Sequence, residues 1–295
     1  MEHKVARICK SFPWERYNIN KYSYPGHIHK ARRDFKELMM DKRRFHFVVE
    51  IRDARLQHLD HPDLHFSRKH IVKVILFTKI DLLSSVEQQK LFMSYKNSFF
   101  LSTVNPKLGI SLKNLTNYFI ENCSSTHENQ SVHVVGYPNT GKSTLINSLR
   151  SYTIGKSGLK TGNIAGITRH IQKVRFLDNP KIELVDFPGV LVPPSQITFE
   201  DALKLSILGS CKFDTIDPFL EAHYLIYFLK EHDPEALNNL KIGHLNDFEE
   251  IMDILQAIGK NFNIIKKKQE IDLDKTANFV LQRYKDGKLT SIPFT

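Results

Sequence analysis

The segment 136–143 limits what this 295-residue chain can fold into more than any other feature. Its sequence, GYPNTGKS, fits the pattern G-x-x-x-x-G-K-[ST] at every fixed position. Glycines at these positions let backbone N–H groups surround phosphate oxygens, and the helix that follows points the positive end of its dipole at them. The apolar residues 132–135 ahead of the segment predict a strand, and residues 142–149 predict a helix. This order indicates an α/β fold that binds phosphate groups.

Four groups in and after this loop are candidate ligands of a nucleoside triphosphate. Lys142 would reach the β- and γ-phosphates, and the Ser143 hydroxyl would bind Mg²⁺. Asp186 follows a predicted strand (182–185) and begins the sequence DFPG. Its carboxylate can hold Mg²⁺, and the Gly189 N–H can bind the γ-phosphate. The other candidate GTP-binding residues in this region are Asn139, Thr140, Gly141 and Thr144.

A threonine lies between these two metal-binding groups. Residues 162–169, GNIAGITR, form a predicted loop that contains two glycines. Thr168 is the candidate for a switch threonine that closes on Mg²⁺ and the γ-phosphate, because the order loop, threonine, strand and D-x-x-G is the one such a switch requires. A surface threonine without a role in the site is the alternative.

The sequence TKID at residues 78–81 is the candidate for base recognition. An ionised Asp81 can accept hydrogen bonds from both N1–H and the exocyclic amine of guanine, a pair that adenine does not offer. The Lys79 stem would cover the face of the ring. The first residue of this motif is usually Asn, whose amide braces the phosphate loop, whereas Thr78 has a single hydroxyl and predicts weaker binding. Ser102, in the sequence LST, is the candidate for the loop that contacts the guanine oxygen.

The base motif precedes the phosphate loop, which is the reverse of the order in Ras-like proteins. A parallel sheet can be opened at another loop in this way when its old termini are neighbours. The sequence therefore predicts a circularly permuted P-loop GTPase domain of the α/β class over residues 1–195. A small all-helical domain over residues 196–295 would follow, and the chain would enter it directly from the γ-phosphate sensor.

Apolar periodicity predicts the other elements. Strands are predicted at 45–51, 70–77, 98–101, 132–135, 170–177 and 182–185, and helices at 29–40, 86–94, 111–121 and 142–149. In the second domain, helices are predicted at 199–210, 218–230, 248–258 and 275–284. Strands that alternate with helices imply a mostly parallel sheet covered on both faces.

Charge and cysteine content narrow the functional classes. The net charge is +10, yet residues 196–295 hold 12 basic and 16 acidic residues, whereas residues 1–55 hold 14 basic and 7 acidic ones. A concentrated basic region attracts a polyanion such as RNA or DNA, although an ordinary solvated surface is the alternative. Three distant cysteines fit neither a disulfide framework nor a zinc site. The absence of an apolar run of about 18 residues predicts no transmembrane helix.

Further motifs resemble those of the circularly permuted YlqF/RbgA-like ribosome-assembly GTPases, and most closely their mitochondrial branch. Residues 24–31, YPGHIHKA, resemble the family motif FPGHMxKA, and residues 53–55 match its DAR motif. The likeness continues through residues 205–209, 217–229 and 281–289. It implies binding of GTP with Mg²⁺, docking on the large ribosomal subunit, contact with rRNA and a mitochondrial location, where any association with the inner membrane would be peripheral. We expect a monomer.

Three residues are candidates for a role in hydrolysis: His27, Asn139 and Thr168. Val190 follows DFPG where Ras has the glutamine that orients water, so the intrinsic rate is predicted to be slow. Asn139 can coordinate K⁺ and so place positive charge on the phosphates. His27, from the YPGHIHKA segment, can enter the site on the ribosome, with helix capping or rRNA contact as alternatives.

Two alternative functions and two alternative compartments stay open. Thr78 and Val190 leave open a GTP-dependent tether with negligible hydrolysis as the alternative to a GTPase. A P-loop kinase is disfavoured, because no acceptor site is evident and Asp81 recognises guanine. The basic residues 1–22 would make a poor transit peptide, because they include Glu2 and Glu15. The nucleolus and the cytosol are therefore the alternatives to the mitochondrion.

Overall fold

The computed structural model describes residues 12, 26–59, 68–105, 107–127, 129–155, 171–187, 197–211, 216–242, 250–266 and 269–294. Its strands are β1 (Phe45–Asp53), β2 (Ile71–Thr78), β3 (Phe99–Leu101), β4 (Gln130–Gly136), β5 (Gln172–Asp178) and β6 (Lys181–Asp186). Its α-helices are α1 (Gly26–Met39), α2 (Ser85–Ser94), α3 (Leu112–Glu121), α4 (Lys142–Ile154), α5 (Phe199–Ile207), α6 (Pro218–His232), α7 (Ile251–Asn261) and α8 (Leu273–Lys285). Short 3-10 helices lie at Ile80–Leu82 and Pro234–Leu240.

The six strands form one sheet in the order β3-β2-β1-β4-β6-β5. Neighbouring strands are parallel except β5, which runs antiparallel to β6. From β1 the chain moves outward to β2 and β3; from β4 it continues on the other side, first to β5 at the far edge and then back to β6 beside β4. The strand order therefore reverses between β1 and β4. In open α/β sheets, ligands bind at such a point, beyond the carboxyl ends of the strands.

Helices cover both faces of the sheet, as strand β1 illustrates. All nine of its residues are buried, as expected for a central parallel strand. Phe47 and Val49 lie in one core with Phe119 of α3, whereas Val48 lies in another with Phe35 of α1. Each fully buried side chain of this size contributes about 1.5–3 kcal/mol to the free energy of unfolding. Because alternate residues of β1 point to opposite faces of the sheet, the same alternation determines which helical layer each residue at the carboxyl end of β1 faces.

Helices α5 to α8 enclose a separate hydrophobic core after the sheet. Side-chain caps explain where α5, α6 and α8 start, since Thr198, Asp217 and Asp272 each accept a hydrogen bond from a backbone N–H in the first turn. Tyr137 from the loop after β4 and Leu56 from the loop after β1 are buried in this same core. The helical region thus packs directly on the carboxyl-end loops of the sheet. The predicted boundary at residues 195 and 196 lies outside the described residues.

The predicted elements are present, but several of their ends are displaced. The segment 122–130 was expected to be a loop, yet β4 begins at Gln130, which pairs with Phe45 of β1. Helix α4 continues to Ile154 and ends only at Gly155, whose backbone is left-handed. The 3-10 helix at Pro234–Leu240 was not predicted. In the part of the chain that the structure describes, no helix has both the length and the apolar character needed to cross a bilayer.

Candidate nucleotide-binding site

The loop between β4 and α4 depends on two glycines that no other residue can replace without strain. Gly136 has φ +144° and lies so close to β1 that an added Cβ would be 2.4 Å from the Ile51 carbonyl oxygen. Gly141 has φ +98° and is the residue before the first turn of α4. These conformations turn the loop back over the N-terminus of α4, where unpaired N–H groups and the helix dipole favour an anion.

Lys142 is the cationic group of this loop and is buried at the start of α4. Its Nζ donates a 2.7 Å hydrogen bond to the carbonyl of Tyr137 within the loop. Burial lowers the pKa of Lys142 to about 8, and the opposing effect of the Asp186 carboxylate is smaller. A buried ammonium interacts strongly with an added phosphate, because little solvent screens it.

Ser143, in the first turn of α4, and Asp186, the last residue of β6, provide two hard oxygen ligands. The Ser143 hydroxyl donates a 3.0 Å hydrogen bond to Oδ2 of Asp186. Among the described residues, no cluster of three or more His, Cys, Asp or Glu side chains could hold a metal ion. Mg²⁺ is usually bound by one or two carboxylates together with substrate phosphates and water. The Ser143 and Asp186 oxygens therefore fit a Mg²⁺ ion.

Asp81 and Ser102 meet at the carboxyl ends of β2 and β3. The Ser102 hydroxyl donates a 2.5 Å hydrogen bond to Oδ1 of Asp81. Ser102 also accepts hydrogen bonds from the N–H groups of Val104 and Asn105, which fix the loop after β3. The two residues predicted to contact the base are thus brought together, although 21 positions separate them in the sequence.

Lys79 lies between the base motif and the phosphate loop. Its backbone is left-handed, with φ 57°, and its Nζ lies 2.9 Å from Oδ2 of Asp53 and 2.8 Å from the Asn139 carbonyl. The prediction that its stem covers the guanine ring is compatible with this position. The anchoring of the ammonium by Asp53 was not predicted.

Thr78 connects the same two motifs through its side chain. Its hydroxyl lies 2.6 Å from the Thr140 carbonyl and 3.2 Å from the Arg52 carbonyl, and both the hydroxyl and the phosphate loop are buried there. The single hydroxyl of Thr78 therefore reaches the loop that an asparagine amide was expected to brace.

The sequence analysis missed the role of Asp53 and Arg55, which it noted only as part of a resemblance. Both side chains are buried and form a two-point ion pair, with Nε to Oδ1 at 3.0 Å and Nη2 to Oδ2 at 2.9 Å. Burial raises the pKa of the Asp53 carboxyl, but the charges of Arg55 and Lys79 outweigh it and hold this pKa well below its usual range. A usable signal was present, because an acid ends a predominantly apolar strand and an arginine follows two positions later.

Asn139, the candidate K⁺ ligand, uses its amide in a contact to the helical region. Its Nδ2 donates a 2.5 Å hydrogen bond to the Gly209 carbonyl, after α5. Coordination of K⁺ by Asn139 stays a prediction. Thr168, Gly189, Val190 and the side chain of His27 lie outside the described residues.

Comparison with known proteins shows which proteins this chain resembles. The model of the 50S ribosome-binding GTPases matches residues 131–268, a match that begins in β4 and leaves residues 78–81 ahead of it. The chain is 29% identical over 287 residues to ribosome biogenesis GTPase A of Bacillus cereus, with 92% of each chain covered. It is 27% identical over 307 residues to mitochondrial GTPase 1 of Schizosaccharomyces pombe, covering 92% of this chain and 89% of that protein. The predicted resemblance to the circularly permuted GTPases of the YlqF/RbgA and mitochondrial GTPase 1 type is thereby confirmed.

Solved structures of YlqF have the same fold. The GDP-bound form matches with a TM-score of 0.57 and 20% identity, covering 89% of this chain and 98% of that one. The GNP-bound form from T. maritima matches with a TM-score of 0.54 and 22% identity, covering 90% and 97%. The predicted fold class, a permuted P-loop GTPase domain followed by a small helical domain, is thereby confirmed.

Proposed function

We propose that this protein binds GTP with Mg²⁺ and hydrolyses it to GDP during assembly of the large mitochondrial ribosomal subunit. One observation carries the proposal. The candidate phosphate, metal and base ligands come from separate parts of the chain. They converge at the carboxyl ends of the strands, near the point where the strand order reverses. The relatives named for ribosome biogenesis and mitochondria supply the setting. Phosphate contacts are assigned to residues 139–144, and Thr168 and Gly189 complete the γ-phosphate side.

Guanine selectivity is assigned to Asp81. Its carboxylate sits 2.5 Å from the Ser102 hydroxyl, which leaves acceptor capacity for the two donors of guanine. The test compares the dissociation constants of GDP, IDP and ADP with the full chain. We expect GDP to bind best, IDP to lose affinity because inosine lacks the exocyclic amine, and ADP to bind at least 100-fold more weakly, a factor that about 2.7 kcal/mol provides. Equal affinity for GDP and ADP would overturn the assignment.

Hydrolysis is expected to need help from outside the residues of the site. Val190 cannot orient water, so turnover by the protein alone should be slow. We expect K⁺ and large ribosomal subunits together to stimulate turnover, with Asn139 holding K⁺ and His27 acting near the phosphates. The experiment measures phosphate release in K⁺ and in Na⁺, with and without large subunits, for the wild type and for His27→Ala. No stimulation in any condition would favour the alternative, a GTP-dependent tether.

The rRNA contact is assigned to the end of the sheet where the strands begin, opposite the nucleotide site. A cavity of about 530 Å³ there is lined by Met40, Lys42, Arg68, Lys69 and His70. It lies beside the amino ends of β1 and β2. Lys42 and Lys69 are exposed and, among the described residues, have no carboxylate partner. Such cations attract the phosphodiester backbone of RNA.

A charge-reversal variant tests this surface separately from the nucleotide site. The double variant Lys42→Glu/Lys69→Glu should lower affinity for large subunits by at least tenfold at low salt. Its GDP affinity should stay at the wild-type level, because the cavity is at the far edge of the sheet. Unchanged subunit binding would exclude this surface. Co-sedimentation with mitochondrial and with cytosolic large subunits then tests the compartment, since the nucleolar and cytosolic alternatives predict binding to the second.

A further inference from the structure

Asp53, at the end of β1, is shared by two cations that belong to different parts of the molecule. Its Oδ2 lies 2.9 Å from Nη2 of Arg55 and 2.9 Å from Nζ of Lys79. Its Oδ1 accepts hydrogen bonds from the backbone N–H and from Nε of Arg55, both at 3.0 Å. Asp53 is only 4% exposed, so a charge there depends on both partners.

Arg55 carries the network into the helical region. Its Nη1 donates hydrogen bonds of 3.2 Å to the carbonyls of Tyr284 and Lys285, at the C-terminal end of α8. Its guanidinium also lies over the Tyr284 ring, 5.5 Å from the ring centre. A cation at this position satisfies terminal carbonyls and complements the negative end of the helix dipole. Arg55 therefore contacts Asp53 through Nε and Nη2 and contacts the end of α8 through Nη1.

A second path joins Lys79 to the helical region through the phosphate loop. Lys79 Nζ donates to the Asn139 carbonyl, and the Asn139 amide donates to the Gly209 carbonyl after α5. Tyr137 of the same loop is buried in the core of the helical region. Lys79 is thus connected to the helical region by two paths. One runs through Asp53 and Arg55 to the end of α8, and the other runs through Asn139 to the Gly209 carbonyl after α5.

We propose that Arg55 is a positioning residue for the nucleotide: it holds Asp53 so that the Lys79 ammonium is fixed beside the base site, and it thereby couples guanine-nucleotide binding to the docking of α8. The proposal rests on the proposed function, since it presupposes that Lys79 covers guanine. Coupling between sites is reciprocal, so nucleotide should tighten α8 docking as much as α8 docking tightens nucleotide binding.

The chain contains a matched control in the same strand. Glu50 pairs with Arg52 at 2.8 Å and with Lys73 of β2 at 2.9 Å. This resembles the arrangement at Asp53, because in both cases a buried carboxylate binds the arginine two positions later and a lysine from β2 or the residue after it. Both Glu50 and Arg52 are buried. The Arg52 side chain donates to the Gln57 carbonyl and lies over the Phe77 ring, 5.9 Å from the ring centre. Arg52→Met therefore measures the loss of a comparable buried ion pair that has different neighbours.

The experiment uses the full chain as wild type, Arg55→Met, Arg52→Met, Lys79→Met and Arg55→Met/Lys79→Met. Two quantities are measured: the dissociation constants of GDP and IDP, and hydrogen–deuterium exchange in peptides of α8 with and without GDP. Arg55→Met should weaken GDP and IDP by the same factor, about tenfold, a typical strength for coupled sites. GDP should slow exchange in α8 of the wild type and of Arg52→Met, but not of Arg55→Met. The double variant should bind GDP no more weakly than Lys79→Met alone.

Several results would overturn the proposal. These are wild-type GDP affinity in Arg55→Met, an α8 response to GDP in that variant, multiplicative effects in the double variant, or equal losses in Arg52→Met. If Arg55→Met does not fold, Arg55→Lys replaces it, because it keeps the positive charge but a single ammonium cannot bind both Asp53 oxygens and two helix carbonyls. Wild-type behaviour of Arg55→Lys in both measurements then overturns the proposal. A wild type that binds no guanine nucleotide refutes the proposed function itself.

Discussion

The hydroxyl of Thr78 lies 2.6 Å from the backbone carbonyl of Thr140, so the first residue of the base motif is tied directly to the phosphate loop. The sequence identified Thr78 as the point at which this chain departs from the usual asparagine. A threonine hydroxyl has one donor where an amide has two, and here that donor is directed at the loop. The departure keeps a brace between the two motifs but reduces it to a single hydrogen bond.

Thr78→Val should break this brace while preserving the shape of the side chain. The buried Thr140 carbonyl would lose its partner, which costs about 1–3 kcal/mol. We expect the GDP dissociation constant to rise about tenfold, a factor equivalent to about 1.4 kcal/mol. Thr78→Ser is the control, because it keeps the hydroxyl and should bind GDP within about twofold of the wild type, less than 0.5 kcal/mol. If valine and serine behave alike, the hydroxyl is not the brace.

The parts of the site that could be predicted from sequence are those with local signals. The phosphate loop combines glycines, a lysine and a serine at fixed spacing with a strand before and a helix after, so 136–143 indicated both its fold and its ligand. Asp81 and Asp186 were found because each follows an apolar strand, and carboxyl ends of parallel strands meet at one edge. Their convergence required only the parallel sheet.

The contacts between the two regions could not be predicted in this way. Arg55 binds carbonyls 229 and 230 positions away, and no periodicity connects such distant residues. The contact between the Asn139 amide N–H and the Gly209 carbonyl, 70 positions later, has no sequence signal either, and the predicted binding of K⁺ by Asn139 stays a prediction. The end of α4 was misplaced although its signal is local, because the helix continues through Ile154 until Gly155 stops it with a left-handed backbone.

Lys142→Met should stabilise the protein free of nucleotide while removing nucleotide binding. Lys142 has a pKa of about 8 in the folded protein against 10.5 for an ordinary lysine, because burial disfavours its charge. The unfolded chain therefore binds more protons between these values, and below pH 8 the full cost of the buried charge is present. Replacing the charged lysine by methionine should raise the free energy of unfolding at pH 7 by about 1–3 kcal/mol. The loss of the hydrogen bond to the Tyr137 carbonyl reduces this gain.

Urea unfolding at pH 7 and pH 9.5 measures this effect. The gain from Lys142→Met should be smaller at pH 9.5, where the wild-type lysine is mostly neutral in the folded protein. GDP should stabilise the wild type and leave the variant unchanged. A variant less stable than the wild type at both pH values would show that the Tyr137 hydrogen bond outweighs the cost of burying the charge.

Asp81→Asn should change which base is bound rather than abolish binding. The asparagine amide presents a donor where the carboxylate presents an acceptor, so it repels the exocyclic amine of guanine and suits the carbonyl that xanthine carries at that position. We expect the ratio of GDP to XDP affinity to fall by at least 100-fold relative to the wild type, equivalent to about 2.7 kcal/mol. Competition binding with GDP and XDP measures the ratio. An unchanged ratio would mean that Asp81 does not contact the base.

His46 and His133 form a buried pair that should make the protein sensitive to acid. Nδ1 of His46 lies 2.9 Å from Nε2 of His133, between β1 and β4. Burial lowers the pKa of His46 and lowers that of His133 further, with His70, Arg44 and Lys173 nearby disfavouring a second charge. Both rings are therefore neutral in the folded protein at neutral pH, and the hydrogen bond between them needs one donor and one acceptor.

The sign of the pH dependence follows from these lowered pKa values. Below about pH 6.5 the unfolded chain takes up protons that the folded pair resists, so the free energy of unfolding falls by up to about 1.4 kcal/mol per pH unit for each histidine. Urea unfolding between pH 5 and pH 8 should show a loss on acidification, and His133→Gln should remove about half of the slope while keeping a group that can bond to His46. An equally steep slope in His133→Gln would mean that other groups cause the acid sensitivity. A flat profile in the wild type would mean that the pair accepts a proton in the folded state.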